Sequence, residues 1–487
     1  MKIQKIIIDN NPIFWNQRVE FDFIKLDWSA VDTIIFVWEN WCGKSTMLED
    51  IIFQFSNLSL LSLKDSSERR WFQIELTSIE REKIESLDVQ FQWIGTILQF
   101  SYNLSIINNR SQITISDLSS KNINSVNFCQ HPEIKKIFKS IYSSAEIDFT
   151  GKIPTTSSNK DIDIELKSSI KSPTNLANDI TQLLVDIAKQ DDTDDAAYMK
   201  TEQRAWRVPD LTKTELRTSR FKNAFKKLFD NKLIFKWVIW TTPNFEKWSN
   251  IFDINKLSSW EKQIVFRGWF LLKDQNSLLW SPVLIDEPEI SLHPSWQLKI
   301  LDFYRTIFTD SNTQLQTSQL FISTHSPYIF KTAQLNSYKL FIFHRNESTQ
   351  QVEIIPWTIL GSLYWTPTRW EINRYAYWLP TLEYHDELYW FLHERFTISG
   401  IDDITKEQYS KIPEFDKYIT TAIPTIPTKN RTEEKYKSKG FKTKSLTVSL
   451  PTFIRHKSHH PENRTMQPKD FTLDELRQSI EYLISLL

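Results

Sequence analysis

Glycine is almost missing from this chain, with 7 in 487 residues, where an average composition of about 7% would supply roughly 34. So few glycines leave few residues that turn easily with φ > 0 or let a backbone approach a ligand closely. Cysteine is scarcer still. Cys42 and Cys129 are the only two, which excludes a disulfide framework or a paired CxxC zinc site and suits a reducing cytosol. Neither sign of charge predominates: 59 basic and 60 acidic residues leave a net charge of −1. That total does not demand nucleic acid, although a local basic groove is compatible with it. No apolar run reaches membrane-spanning length, and no basic stretch followed by a short apolar one opens the chain. The expectation is a soluble, cytoplasmic protein of about two domains with no membrane partner.

The stretch richest in chemical meaning is Val37-Trp38-Glu39-Asn40-Trp41-Cys42-Gly43-Lys44-Ser45-Thr46. An apolar run, Thr33 to Val37, precedes it and reads as a buried strand. Met47 to Phe55 follows and reads as a helix. Strand, loop, GKST and helix make the context of a phosphate-binding P-loop, whose backbone N–H groups cradle phosphate at a helix N-terminus. Every position of GxxxxGKS/T fits except the first, where Trp38 stands. Downstream, Ser281 to Pro288 is an apolar strand ending in two carboxylates, Asp286 and Glu287. Leu320 to Pro327 is a second such strand, ending in His325.

Together with Leu257-Ser258-Ser259-Trp260-Glu261-Lys262-Gln263 and Ser291-Leu292-His293-Pro294, these segments resemble the ordered motifs of ABC-type ATPases of the RecF/SMC-like group. The resemblance covers residues 1 to about 345. It implies an α/β P-loop fold: N-terminal antiparallel strands, a mostly parallel sheet, and a short helical insert at about 170–235. It implies ATP and Mg²⁺ as cofactors. Nucleotide would contact Trp38 through Thr46, and Ser45 and Asp286 would hold Mg²⁺. Glu287 would polarise the attacking water, and His325 would sense the γ-phosphate. Ser258 and Trp260, in the signature, would complete the site of a second subunit in a homodimer. The Q-loop glutamine is not identifiable from the sequence.

Tryptophan is in excess, with 19 residues, and it stands where this group carries glycine. Trp38 and Trp41 are in the P-loop and Trp260 is in the signature. Trp15, Trp269 and Trp280 fall at further such positions, and Trp28 follows Asp27 at a turn. Trp296 fits the group as it is. Two readings follow. One is a decayed P-loop in a scaffold that binds nothing. The other is a gene in which UGA means glycine and has been translated as tryptophan. The second is the more economical, because decay would scatter varied substitutions rather than one residue replacing one other.

The rest of the chain completes the expectation. Ile3 to Ile8 and Arg18 to Phe23 read as paired strands. Ile94 to Ile106 and Gln112 to Ile115 also read as strands, and His131 to Ser143 reads as a short helix. Asn175 to Ala188 and Thr214 to Phe229 have helical spacing. The acidic run Asp191 to Asp195 reads as a solvated loop. The long heptad arm of an SMC protein is absent. Asn346 to Gln351 reads as a polar hinge or hairpin tip.

Residues 346–487 form a separate, mainly helical region. Within it Lys435 to Lys444 reads as a basic loop, and Phe471 to Leu487 as a helix that Thr472 and Glu475 start with a capping box. Arg455 and His460 resemble the short R-x4-6-H motif of HEPN ribonucleases, although His459 is the better same-face neighbour of Arg455 on a helix. The functions open are an ATP-driven clamp or sensor in DNA repair or phage defence, an ATP-gated ribonuclease like the anticodon nucleases, and a dead scaffold. DNA, RNA or an operon-encoded effector would be the partner.

Overall fold

The computed structural model describes the chain apart from residues 15, 26, 39–45, 59–66, 106–109, 146–175, 210–216, 240–241, 273–279, 311–312, 330–337, 346–351, 357–367, 378, 400–411, 438–439 and 460–469. The chain divides into two compact units, Met1–Trp357 and Thr358–Leu487.

The first unit contains two six-stranded sheets and a smaller one. One sheet is antiparallel, in the order β2 (Val19–Asp22), β1 (Lys2–Asp9), β4 (Arg69–Glu75), β5 (Ile97–Ser105), β6 (Arg110–Asp117) and β7 (Asn122–Ile123). In β1, Ile3, Ile6 and Ile8 are buried. The second sheet runs β15 (Val352–Pro356), β14 (Lys339–Arg345), β3 (Thr33–Trp38), β13 (Gln319–Thr324), β12 (Pro282–Asp286) and β8 (Ile141–Ser143). All of its neighbours are parallel except β15 on β14. β12 and β13 are buried along their whole length, as strands covered on both faces must be, which is why each has an apolar centre, Val283 to Ile285 and Leu320 to Ile322. Phe21 and Phe23 of the first sheet's side meet Phe36, Phe321, Phe341 and Phe343 of the second, with ring centroids 5.4–6.5 Å apart. β15 lies beyond the expected break at 345, yet it pairs with β14 and so belongs to this unit.

Helices fill out the unit. α1 (Thr46–Phe53) follows the P-loop segment and buries Met47, Leu48, Ile51 and Ile52. α2 (Leu176–Arg204) and α3 (Arg217–Leu228) make the insert. The acidic run Asp191 to Asp195 is therefore helical, not a loop. It contains no glycine or proline to break the helix, and aspartate costs a helix only a few tenths of a kcal/mol per residue. Asp191 is buried, and its charge acts on Lys222 of α3. A small antiparallel sheet, β9 (Ile234–Ile239), β10 (Thr242–Lys247) and β11 (Asn250–Asp253), precedes α4 (Ser259–Leu272). α5 (Pro294–Ile307) follows β12. The expected helix at 131–143 is shorter, Pro132–Ile137, because Ile141–Ser143 extends to pair with β12 as β8.

The second unit packs α6 (Arg369–Tyr377), α7 (Leu382–Ser399), α8 (Ile412–Ala422), α9 (Leu450–His459) and α10 (Leu473–Ile484) around Leu388, Tyr389, Phe415, Phe453 and Ile480. Within the expected loop of Lys435 to Lys444, residues 435–437 and 440–444 lie in paired strands, β16 (Thr428–Lys437) and β17 (Gly440–Ser449). α10 begins with the expected capping box, in which Thr472 and Glu475 each accept the other's backbone N–H. Among the described residues no helix is long and apolar enough to cross a membrane.

Candidate active site

Three parallel neighbours set up the site. β13 pairs with β3, Thr324 opposite Val37, and β12 pairs with β13, Asp286 opposite Ser323. Trp38, His325 and the Asp286–Glu287 pair therefore leave the sheet at one edge, the carboxyl ends of the strands, where open α/β sheets bind their ligands.

Asp286 is 3% exposed. The Ser323 hydroxyl donates to its Oδ1, and the Tyr142 hydroxyl donates to its Oδ2 at 3.2 Å. These two bonds orient the carboxylate, a ligand type that a hard cation such as Mg²⁺ takes one or two of. Glu287 comes next, with φ 44°, in the left-handed region that glutamate rarely occupies. Its N–H donates to the Ser323 carbonyl at 3.0 Å, which turns the chain out of the strand. Its Oε1 lies 3.2 Å from His325 Nε2, and each side chain is about a quarter exposed, 25% and 26%.

Two residues that sequence reading missed hold this pair in place. Glu289, 9% exposed, accepts the backbone N–H of His325 at 2.6 Å. Arg267 of α4, 1% exposed, donates through Nη1 to the carbonyls of Asp286 (2.9 Å) and Glu287 (3.3 Å) and through Nη2 to those of Ser144 (2.9 Å) and Ala145 (2.5 Å). The signal for Glu289 was a carboxylate directly after Pro288. Arg267 gave none, since its partners are distant in sequence.

The signature is placed at the start of α4. Ser258 donates its N–H (2.8 Å) and hydroxyl (2.6 Å) to Glu261 Oε2. Trp260, in the first turn, stacks on Trp296 with centroids 3.9 Å apart and lies 5.5 Å from Phe229. The Ser291–Pro294 segment turns through Ser291 at φ 64° and caps α5 with His293. Trp38 closes β3 and Thr46 opens α1. Glu39, Asn40, Trp41, Cys42, Gly43, Lys44 and Ser45 lie outside the described residues. Arg455 is on α9 of the second unit, and His460 is outside the described residues.

Residues 264–330, from α4 through β12 to just beyond His325, match the family model described as AAA ATPase domain. The matched stretch lies within the first unit and carries both the Asp286–Glu287 pair and His325. Among solved structures, the chain is similar to the SMC head domain from Thermotoga maritima, at 10% identity and TM-score 0.40 over 73% of this chain and 99% of that one. It is also similar to an SMC head bound to the C-terminal winged-helix domain of ScpA, at 13% identity and TM-score 0.41 over 73% and 98%. A third is the Smc head with an extended coiled coil bound to the C-terminal domain of ScpA, derived from Pyrococcus furiosus, at 12% and 0.38 over 73% and 96%. No curated protein matches this chain's sequence.

Proposed function

We propose that the chain binds ATP, dimerises on it and hydrolyses it with Mg²⁺, acting as a clamp or sensor in DNA repair or phage defence. The observation that carries the reading is the contact between Glu287 and His325, 3.2 Å apart just past the ends of the neighbouring strands β12 and β13. In this reading Trp38 through Thr46 hold the nucleotide, and Ser45 and Asp286 hold the Mg²⁺, which supplies charge neutralisation at the phosphates when bound. Glu287 takes the proton of the attacking water. His325 holds the Glu287 carboxylate and faces the nucleotide, and Glu289 fixes the backbone that carries His325. Ser258 and position 260 reach the nucleotide across the dimer interface. The test is ATP turnover by a chain with glycine at 38, 41 and 260, against the same chain carrying Glu287→Gln. Equal rates would remove Glu287 as the base.

A second activity, RNA cleavage by the second unit, is favoured by one cluster. His459 Nε2 is 3.1 Å from Asp386 Oδ2, and Arg455, on the same helix, lies 5.3 and 4.4 Å from the ring centroids of Tyr389 and Trp390. A cation for phosphate and a histidine oriented by a carboxylate are what a metal-independent ribonuclease needs. On the helix His459, four residues on, is the same-face neighbour of Arg455, and His460 lies outside the described residues. Arg455→Ala and His459→Ala should abolish RNA cleavage and leave ATP turnover intact. Undiminished cleavage in both would remove the reading.

A further inference from the structure

Among the described residues, fourteen other than glycine have φ in the left-handed region, and four of them are tryptophan: Trp28 (66°), Trp206 (54°), Trp248 (50°) and Trp280 (63°). The remainder are mostly asparagine, aspartate and serine, which tolerate that region through local hydrogen bonds. Tryptophan does not, and it makes up only 19 of 487 residues.

Three of the positions, 206, 248 and 28, also have glycine's local roles. Trp206 ends α2. Its N–H bonds the Gln203 carbonyl at 3.1 Å, and the next N–H, of Arg207, bonds back to Glu202 at 2.9 Å. This is the Schellman closure, in which the left-handed residue is usually glycine. Trp248 and Ser249, both left-handed, join β10 to β11 with Lys247 opposite Asn250. A two-residue hairpin of that kind needs φ > 0 at both positions and favours glycine, asparagine or aspartate. Trp28 closes a turn in which its N–H reaches the Lys25 carbonyl at 3.1 Å while Lys25 N–H reaches Ser29 at 2.8 Å, the left-handed position of a bulged hairpin. Trp280 leads into β12 with its N–H on the Thr317 carbonyl at 2.7 Å.

Exposure gives a separate indication. Trp28, Trp206 and Trp248 are 78%, 97% and 79% exposed, whereas tryptophan is highly buried on average. By contrast Trp93, 3% exposed, lies in the core, and Trp296 lies on α5 against Trp260. Neither has a positive φ.

We infer that the source cell inserts glycine at 28, 206, 248 and 280, reading UGA codons there, and that the backbone retains the turns those glycines specify. These sites lie outside the nucleotide motifs, so the inference stands independently of the ATPase reading. The substitution would then reach positions of the first unit outside the nucleotide motifs as well as within them.

The gene and the protein from its own cells test it. UGA codons at the four positions, with glycine in the peptides spanning 28, 206 and 248 by mass spectrometry, are expected. UGG at these positions, or tryptophan in those peptides, overturns it. In the tryptophan-containing chain, Trp206→Gly should raise the folded-to-unfolded ratio about fivefold or more over Trp206→Ala, and Trp93→Gly should lower it. An equal response to glycine and alanine at 206 also overturns it.

Discussion

Glu287 is bent out of β12 at φ 44° and 3.2 Å from His325, so its carboxylate is held ready rather than free to rotate. In the chain with glycine at 38, 41 and 260, Glu287→Gln should keep nucleotide binding and slow turnover by about 10²–10⁴-fold, the usual contribution of a general base. A nucleotide-binding assay beside a phosphate-release assay reads both. Glu371 makes the pH prediction. It is buried on α6, and burial pushes its carboxyl up to about 7, with Glu387 adding to the shift and a hydrogen bond with Thr368 opposing it. The folded form thus prefers the proton. This stabilisation is complete below the unfolded value, 4.5, and is lost as pH rises through about 7. Glu371→Gln should flatten that fall, as urea midpoints across the interval would show, and an unchanged pH profile would contradict it. At this scale Asp286, Glu287 and His325 were legible because each ends an apolar strand. Glu289, Ser323 and Tyr142 were not, because they act through contacts that only the folded sheet creates.

Among the elements, those that carry their own boundaries were the most legible. β12 and β13 read as apolar runs, and α10 announced itself through Thr472 and Glu475. Thr472→Ala should cost about 1 kcal/mol of stability in the second unit, the usual effect of losing a cap, measurable by denaturant unfolding. The elements misread were those whose composition suggested solvent. The Asp191–Asp195 run is helical because nothing in it breaks a helix and Asp191 has Lys222 nearby. In the basic stretch, residues 435–437 and 440–444 form strands because they belong to two segments that pair residue for residue. β8 was missed because a three-residue strand is defined only by its neighbour, β12.

For the whole molecule, the expected dimer makes Ser258 the informative position, since its Glu261 bonds place it at the N-terminal end of α4. In the glycine-containing chain, Ser258→Arg should abolish turnover while leaving ATP binding by the monomer intact, and an active Ser258→Arg protein would argue against composite sites. The same helix carries Arg267, whose guanidinium is bonded to four carbonyls, two of them on Asp286 and Glu287. A rigid planar fork can grip several carbonyls at once, and a lysine ammonium on a flexible stem cannot reproduce that grip. In the proposed dimer α4 would be a stiff rod between one subunit's contact with its neighbour's nucleotide and the backbone of its own proposed base. The two hydrolytic events should then be synchronised rather than independent. ATP turnover should show a Hill coefficient approaching about 2, the number of sites, and Arg267→Lys should let the two sites fire out of step, returning it toward about 1.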